Sequence, residues 1–210
     1  MKTLFGFYIY DLSWYVIFYS FETMVSASSR EMIRAGSVGT RATYDEPYDS
    51  DGEETADTEW DDKGRTMISY IYVSFDRIIR SIQFGYYENE ALVLSEKYGS
   101  SDDHYTNLSN EFVAVKLGKD EYVTGLSGEL GLCEGIRNLT FHTNLGKHGP
   151  IGKFEYNNYT SGSNVIDPEI RDRRGFGGFY GSYNSNGLSS IGIYVSPTAS
   201  SETVVESENI

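Results

Sequence analysis

Cysteine and proline are scarce in this chain of 210 residues, which contains one cysteine, Cys133, and four prolines. A single cysteine excludes an intrachain disulfide and a cysteine zinc cluster. A lone cysteine after Leu132 is typical of an inert core or loop position. Amphipathic helical spacing is also scarce. The fold must therefore be stabilised by packing, and long helices are not expected.

Basic residues are few as well, with 17 Lys and Arg against 31 Asp and Glu and a formal net charge of −14. Ten of these acids lie within residues 45–62, where no basic residue occurs, and the remaining chain has 21 acids against 17 bases, a net −4. The acidity is thus local, as in a solvated, flexible loop. Because no Lys or Arg cluster is available to contact phosphates, nucleic acid is not expected as a partner.

Aromatic residues and glycine are abundant, with 18 Tyr, 11 Phe and 22 Gly. Aromatic side chains favour half-buried pleated surfaces, and glycines serve turns and bulges. This composition indicates an all-β protein with one domain of ordinary size.

One hexapeptide pattern occurs three times, at residues 79–84 (IRSIQF), 136–141 (IRNLTF) and 188–193 (LSSIGI). Each copy has an apolar residue, two polar or small ones, an apolar one, a polar or small one and an apolar one. The starts of the copies are 57 and 52 residues apart, close to the periods of repeat architectures. The alternation at the end of each copy predicts a strand with one buried face.

A second strand-like run precedes each copy, at residues 68–73, 121–126 and 176–180. A run followed by a hexapeptide is typical of a β-hairpin. The sequence therefore predicts three related hairpins and an all-β domain with internal pseudo-threefold symmetry.

The two ends of the chain differ in composition from this repeat region. Residues 1–31 form an N-terminal extension whose aromatic, apolar run at residues 4–21 is interrupted by Asp11. A signal peptide, a membrane anchor and an extension that the domain does not need are three open interpretations. A stable membrane span is not expected, since about 20 clean apolar residues are needed. The cytoplasm is favoured as the location, unless residues 1–27 direct secretion.

The predicted domain covers residues 32–196, with an acidic insert at about residues 40–59. The insert has the length and polarity of a long loop. Residues 197–210 are expected to form a polar tail.

Five short motifs occur in the order in which one known family has them: EWDD at 59–62, YVTGLSG at 122–128, NLGKHGPIG at 144–152, GGFYG at 177–181 and IGIYV at 191–195. Through them the chain resembles the jacalin-related lectin domains of plants from about Met32 to Ser196. The resemblance implies a β-prism of three four-stranded Greek-key sheets around a pseudo-threefold axis. Residues 176–188 are similar, more narrowly, to the jacalin-like plant proteins that restrict the movement of tobacco etch virus.

The resemblance also implies a sugar site between a glycine-rich N-terminal loop and the loop before the last strand. In sugar-binding members an Asp of the latter loop accepts two hydroxyl hydrogen bonds. When the chain is aligned on Leu188 and Ile191, Ser189 replaces this Asp, and Ser185 replaces the Gly that begins the loop. A serine hydroxyl cannot act as a bidentate acceptor, so sugar affinity is expected to fall about ten- to a hundredfold.

The N-terminal part of the implied site departs from the family as well. Gly39 is retained, but Ala56 and Asp57 stand where paired glycines would precede Trp60. Glycines there would let backbone N–H groups approach a sugar. The acidic insert is therefore expected to lie beside the pocket.

The loop before the last strand is one residue longer than the family pattern and carries two Asn side chains and a Ser. It could bind a sugar in an altered pose, or Asn-Ser-Asn-Gly could serve only as a hairpin turn. The candidate carbohydrate-binding residues are Gly39, Asn184, Ser185, Asn186, Gly187 and Ser189.

Catalytic and metal chemistry are not expected. The three histidines, His104, His142 and His148, lack metal-ligand spacing, and no Gly-x-Ser-x-Gly nucleophile motif is present. Asp61 and Asp62 follow Trp60 as they do in the family and are interpreted as structural turn residues. Neither an enzyme nor a bound metal or cofactor is predicted.

Two functions stay open. The first is a carbohydrate-binding jacalin-like lectin of the mannose or glucose type, related to plant defence, with a degenerate sugar site. The alternative is a β-prism interaction protein that no longer binds sugar and acts through protein contacts, for example in restricting virus movement. The expected partners are therefore glycans, bound weakly or in an altered pose, or proteins. Exposed sheet edges also suit a homo-oligomer.

Overall fold

A computed structural model describes residues 31–39, 57–88, 90–100, 111–131, 135–152 and 160–197. The N-terminal extension up to residue 30, residues 40–56 of the acidic insert, His104, Cys133 and the tail after Pro197 lie outside these ranges. A boundary between two units of the chain falls between Glu31 and Met32. No helix in the described ranges is long and apolar enough to span a bilayer.

The described residues form strands and a 3₁₀ turn at Arg173–Gly175. In chain order the strands are β1 (Ile33–Gly39), β2 (Thr58–Asp61), β3 (Ile68–Phe75), β4 (Ile79–Glu88), β5 (Ala91–Leu94), β6 (Tyr98–Gly99), β7 (Glu111–Lys116), β8 (Val123–Gly131), β9 (Ile136–Thr143), β10 (Gly146–Gly152), β11 (Thr160–Ile166), β12 (Phe176–Asn184) and β13 (Gly187–Val195).

These strands make three antiparallel sheets. Sheet A has the order β1-β13-β12-β2, sheet B the order β5-β4-β3-β7, and sheet C the order β10-β9-β8-β11. The short strand β6 pairs with β4 as an addition to sheet B. The all-β prediction of three related four-stranded sheets is thus confirmed.

Each predicted hairpin forms the centre of one sheet. The runs before the hexapeptides become β3, β8 and β12, and the hexapeptides themselves lie in β4, β9 and β13. The alternation gives each hairpin one buried face. In β3, Ile71, Val73 and Phe75 face the core while Tyr72 and Ser74 between them stay half-exposed. The threefold repetition of the sequence is therefore a repetition of sheets.

The core lies where the inner faces of the three sheets meet. Phe84 of sheet B, Phe141 of sheet C and Phe179 of sheet A are fully buried. The Phe179 ring stacks on Phe84 with centroids 4.8 Å apart and meets Phe141 edge-on at 6.0 Å. Such ring pairs contribute about 0.5–1.5 kcal/mol each beyond their burial. Each sheet thus contributes one Phe side chain to an aromatic cluster at the centre of the core.

Sheet A combines distant parts of the chain. Its central hairpin, β12–β13, is the last one in sequence, whereas its two outer strands, β1 and β2, are the first. β2 begins at Thr58, so the last residues of the predicted insert are strand rather than loop. The fold consequently places residues near position 57 beside residues near position 185.

Asp62 anchors β2 to sheet B. Its carboxylate is buried and accepts hydrogen bonds from the hydroxyls of Tyr86 (2.7 Å) and Tyr98 (2.8 Å). Burial, together with the neighbouring Asp62 charge, raises the pKa of Tyr86 far above its usual range, so both tyrosines remain donors. Trp60 stacks on Tyr98 with centroids 4.3 Å apart. Asp62, interpreted from sequence as a turn residue, is thus an intersheet anchor.

The same β-bulge occurs in all three hairpins. The pairing register shifts immediately after the first residue of each hexapeptide, so the second residue has no direct partner across the hairpin. That residue is Arg80 in sheet B, Arg137 in sheet C and Ser189 in sheet A. A bulge adds one residue to a strand and redirects its side chain.

The hairpin ends gather at one end of the fold. A Cβ added at Gly187 would lie 2.5 Å from the carbonyl oxygen of Ile79, and one added at Gly135 would lie 3.1 Å from that of Leu188. The loop before the last strand therefore packs closely against the start of β4.

Candidate functional site

Four strands of sheet A end side by side near the last hairpin. Across the sheet, Gly39 of β1 pairs with Ser190 of β13, Ser190 with Ser182 of β12, and Ser182 with Glu59 of β2. This row brings together the N-terminal strand, the last hairpin and the strand that contains Trp60.

Gly39 fits closely against the bulge of β13. Its φ is +87°, and a Cβ at this position would lie 2.0 Å from the carbonyl oxygen of Ser189. Contacts below 3.0 Å with backbone essentially never occur, and a positive φ favours glycine. Glycine is therefore required here for β1 to pair with the bulged strand.

The carboxylate of Asp57, the residue directly before β2, contacts both strands of the last hairpin. Asp57 Oδ1 accepts hydrogen bonds from Asn184 Nδ2 (3.0 Å) and Ser189 Oγ (2.9 Å). Asp57 Oδ2 accepts one from Ser182 Oγ at 3.3 Å. Ser182 Oγ also lies 2.8 Å from Ser190 Oγ. We refer to Asp57, Ser182, Asn184, Ser189 and Ser190 as the Asp57 cluster.

The cluster joins buried serines to partly exposed groups. Ser182 and Ser190 are buried, and Ser189 is 9% exposed. Asp57 and Asn184 are half-buried. Ionised carboxylates accept hydrogen bonds through both oxygens, and bonds to a charged acceptor are stronger than neutral ones. The cluster thus holds a carboxylate near the surface with its orientation fixed by neutral donors.

The turn itself is organised by Asn184. Its Oδ1 accepts a hydrogen bond from the backbone N–H of Asn186 at 2.8 Å, the Asx-turn geometry that an Asn before a turn favours. Arg80 of the neighbouring sheet donates to the carbonyl oxygen of Asn186. Gly187 has a φ of +141°. Ser185 and Asn186 are exposed at the tip.

The structure therefore separates the predicted residues into two groups. Gly39, Asn184 and Ser189 meet at the Asp57 cluster, whereas Ser185 and Asn186 form the exposed turn and Gly187 packs under it. The acidic residue at the centre was missed, because Asp57 reads in the sequence as part of the acidic run. Its position three residues before Trp60, where the family has glycine, is the one signal that marks it.

The two described histidines lie elsewhere. His142 is half-buried and lies 2.8 Å from Ser127 Oγ. His148 Nε2 lies 2.6 Å from Glu121 Oε1. Burial opposes ionisation of Glu121, but hydrogen bonds from the Gly118 N–H, Thr143 and His148 outweigh it and lower its pKa. This arrangement fastens the β9–β10 hairpin to the start of β8.

No set of three or more His, Cys, Asp or Glu side chains within the described ranges is arranged to hold a metal ion. At the far end of sheet B from the Asp57 cluster, an open cavity of about 460 Å³ is lined by Met67, Tyr87, Lys119 and Arg173, among others. Arg173 donates to the carbonyl oxygen of Glu121 at 3.2 Å. Arg173 also donates to the carbonyl oxygen of Lys119, so it connects the 3₁₀ turn to the segment between β7 and β8.

Comparison with known proteins agrees with this architecture. Residues 49–194 match the Jacalin-like lectin domain. Jacalin-related lectin 25 of Arabidopsis thaliana is 42% identical over 207 residues, which cover 82% of this chain and 62% of that protein. The Arabidopsis thaliana Protein RESTRICTED TEV MOVEMENT 1 is 34% identical over 156 residues, covering 70% of this chain and 82% of its own length.

Solved structures share the fold. The artocarpin–mannotriose complex superposes with a TM-score of 0.58 at 24% identity, covering 79% of this chain and 98% of artocarpin. At this level of identity the match concerns the arrangement of the sheets and not the residues of the site.

Proposed function

Since this chain belongs to the jacalin-like lectin family, we propose that it is a carbohydrate-binding protein that takes a mannose- or glucose-type sugar at the Asp57 cluster and acts in plant defence. The matching domain is a lectin domain rather than an enzyme domain. The observation that carries the proposal is a fixed carboxylate, Asp57, beside Gly39 and the last hairpin. The family resemblance implies a sugar at this end of sheet A.

The chemistry of the cluster suits a neutral sugar. Pyranose hydroxyls need charged or strongly polar acceptors to compensate for the water that they lose. The Asp57 carboxylate supplies the acceptor, and the amide of Asn184 and the Ser189 hydroxyl supply further polar groups. With a single carboxylate in the cluster as the charged acceptor, we expect affinity in the millimolar range, which corresponds to about 4 kcal/mol.

Titration of the full chain with mannose, glucose and galactose tests this function. We expect saturable binding of mannose or glucose by calorimetry or by chemical-shift changes, with galactose as the specificity control. A glycan array then identifies the preferred oligosaccharide. Absence of any signal with all three sugars at millimolar concentrations, together with an empty array, would contradict the proposal.

A second function is supported by the outer face of sheet B. Phe112 is 65% exposed, and its ring is stacked with Tyr72 at 6.0 Å, next to Tyr70 at a further 5.7 Å. Leu92 and Leu94 on the same side are about half exposed. Exposed apolar patches of this kind mark protein contacts, and one relative is named for restricting virus movement. The chain could therefore act as an interaction protein.

Plants expressing the chain and challenged with tobacco etch virus separate the two functions. If the chain acts through protein contacts, a Phe112→Ser variant should lose restriction, while a variant blocked at the Asp57 cluster should keep it. Loss of restriction only in the variant blocked at the cluster would instead assign the effect to sugar binding. Both variants should be checked for wild-type thermal stability.

A further inference from the structure

The carboxylate of the Asp57 cluster comes from an unexpected strand. The family resemblance implies an Asp on β13, at the position of Ser189. In this chain the side chain there is a hydroxyl, and it donates to Asp57 Oδ1 over 2.9 Å. A carboxylate oxygen therefore lies one hydrogen bond away from the side chain that replaces the family's acid, although it belongs to a residue 132 positions earlier.

The backbone holds Asp57 firmly in this place. It directly precedes Thr58, which pairs with Tyr183 of β12. Asp62 anchors the other end of the same strand on two tyrosine hydroxyls of sheet B. Within the cluster, donors from β12 and β13 fix both carboxylate oxygens. Such preorganisation reduces the entropy lost when a ligand binds.

We propose that Asp57 is the acceptor for sugar hydroxyls in this site and that Ser189 is its positioning residue. The carboxylate is thus supplied from the start of β2 instead of from the last strand. The ligand is a neutral hexopyranose that presents two adjacent hydroxyl groups to the carboxylate. This inference rests on the proposed sugar-binding function and assigns the residue that performs it.

The cluster can exchange the Ser182 donor for a sugar hydroxyl at Asp57 Oδ2. The bond from Ser182 to Asp57 Oδ2 is the longest of the three, at 3.3 Å. Ser182 Oγ lies closer, at 2.8 Å, to Ser190 Oγ. A hydroxyl has one proton to donate, so when a sugar hydroxyl donates to Oδ2, Ser182 can direct its proton to Ser190.

Calorimetric titration of the full chain with mannose, using four proteins, tests the proposal. Asp57→Asn keeps the size of the side chain and removes its charge, and we expect affinity about ten- to a hundredfold lower than in wild type. Asp61→Asn is the matched control. Asp61 lies on the same strand, but its carboxylate accepts from the hydroxyl of Tyr194 at 2.7 Å, outside the cluster, so affinity should not change.

The fourth protein exchanges the two side chains. Asp57→Ser combined with Ser189→Asp puts the carboxylate on β13 and the hydroxyl on β2. We expect this variant to bind mannose within a few-fold of wild type. Equal thermal transition temperatures in the four proteins would show that the comparison concerns the site and not folding.

The outcomes distinguish the inference from the function on which it rests. If wild type binds mannose and Asp57→Asn binds equally well, sugar is bound without Asp57 and only the inference is overturned. If wild type does not bind but the exchanged variant or Asp57→Asn does, Asp57 blocks the site, which overturns the inference together with sugar binding by the natural chain. If no variant binds, the proposed sugar function fails.

Discussion

The ends of sheets A and B have the same backbone geometry, but their acidic residues have different partners. Both hairpins have a β-bulge after the first residue of the hexapeptide. In sheet B the bulged residue is Arg80, which forms an ion pair of 2.6 Å with Asp76 of its own turn. In sheet A it is Ser189, and the nearby carboxylate, Asp57, comes from a different strand.

This difference is the reason why we propose a ligand at the end of sheet A and not at that of sheet B. Asp76 is 1% exposed, and its carboxylate also accepts from the N–H groups of Arg77 and Ile78. The Arg80 side chain occupies the space beside the bulge and neutralises the acid. At the end of sheet A the small Ser189 side chain takes the bulge position, and neutral donors hold the half-buried Asp57 carboxylate. A repeated backbone thus carries a buried ion pair at one end and a half-buried carboxylate held by neutral donors at the other.

The largest predicted effect on stability comes from removing the Asp76–Arg80 ion pair at the end of sheet B. Asp76→Ala removes one partner of a buried ion pair, leaves the Arg80 guanidinium uncompensated, and should cost about 3–5 kcal/mol of unfolding free energy. Asp57→Ala, which removes a half-exposed carboxylate, should cost about 1–2 kcal/mol. Urea unfolding followed by tryptophan fluorescence measures both. Equal losses in the two variants would contradict the contrast between the two ends.

The pH dependence provides a control for the Asp76 variant. Burial opposes ionisation of Asp76, but the hydrogen bonds from Arg80 and Ile78 outweigh it, so the pKa of Asp76 is lowered. A lowered carboxyl pKa stabilises the protein above the unfolded value of about 3.9, and this stabilisation is lost as the pH falls through the folded value. The difference between wild type and Asp76→Ala should therefore shrink in acid.

The fold could be predicted from sequence further than the site could. The hairpins follow from local alternation in residues 79–84, 136–141 and 188–193, because a strand buries every second side chain wherever it lies. Sheet A could not be derived in this way, since its pairing of Ser182 with Glu59 joins segments more than 120 residues apart. The family resemblance supplied that pairing.

The site depends on a single side chain that local patterns do not reveal. Gly39, Asn184 and Ser189 were predicted as candidates and meet at the cluster. Asp57 was not predicted, because an acidic residue in an acidic run is indistinguishable from a solvated one until its strand is placed. Its role depends on its short distance from Ser189 and Asn184, and the register of β2 against β12 sets that distance.

An intermediate effect is predicted when a second acid is added to the end of sheet A. Ser189→Asp alone puts two carboxylates within hydrogen-bond distance, and the repulsion between like charges raises the pKa of the introduced acid. A raised folded pKa means that the native state binds more protons, so stability falls as the pH rises from about 4 to 7, by about 1–3 kcal/mol.

Ser189→Asn is the matched neutral control, because it has the same size and should show no such loss relative to wild type. Thermal unfolding at several pH values measures the difference between the two variants. A Ser189→Asp protein as stable at neutral pH as Ser189→Asn would mean that Asp57 does not face position 189.

The smallest effect on stability is predicted for a substitution that makes sheet A resemble sheet B. Ser189→Arg places at the bulge the residue type that sheets B and C have there, Arg80 and Arg137. The guanidinium can pair with Asp57, and a partly exposed ion pair contributes only about 0–1 kcal/mol, so the unfolding free energy should change little.

The long arginine side chain should nevertheless fill the site and neutralise the Asp57 carboxylate, which abolishes sugar binding. Ser189→Ala, which loses one donor but leaves the space, should bind with reduced affinity. Calorimetry with mannose separates the two variants, and an arginine variant that binds as well as wild type would place the sugar elsewhere on the molecule.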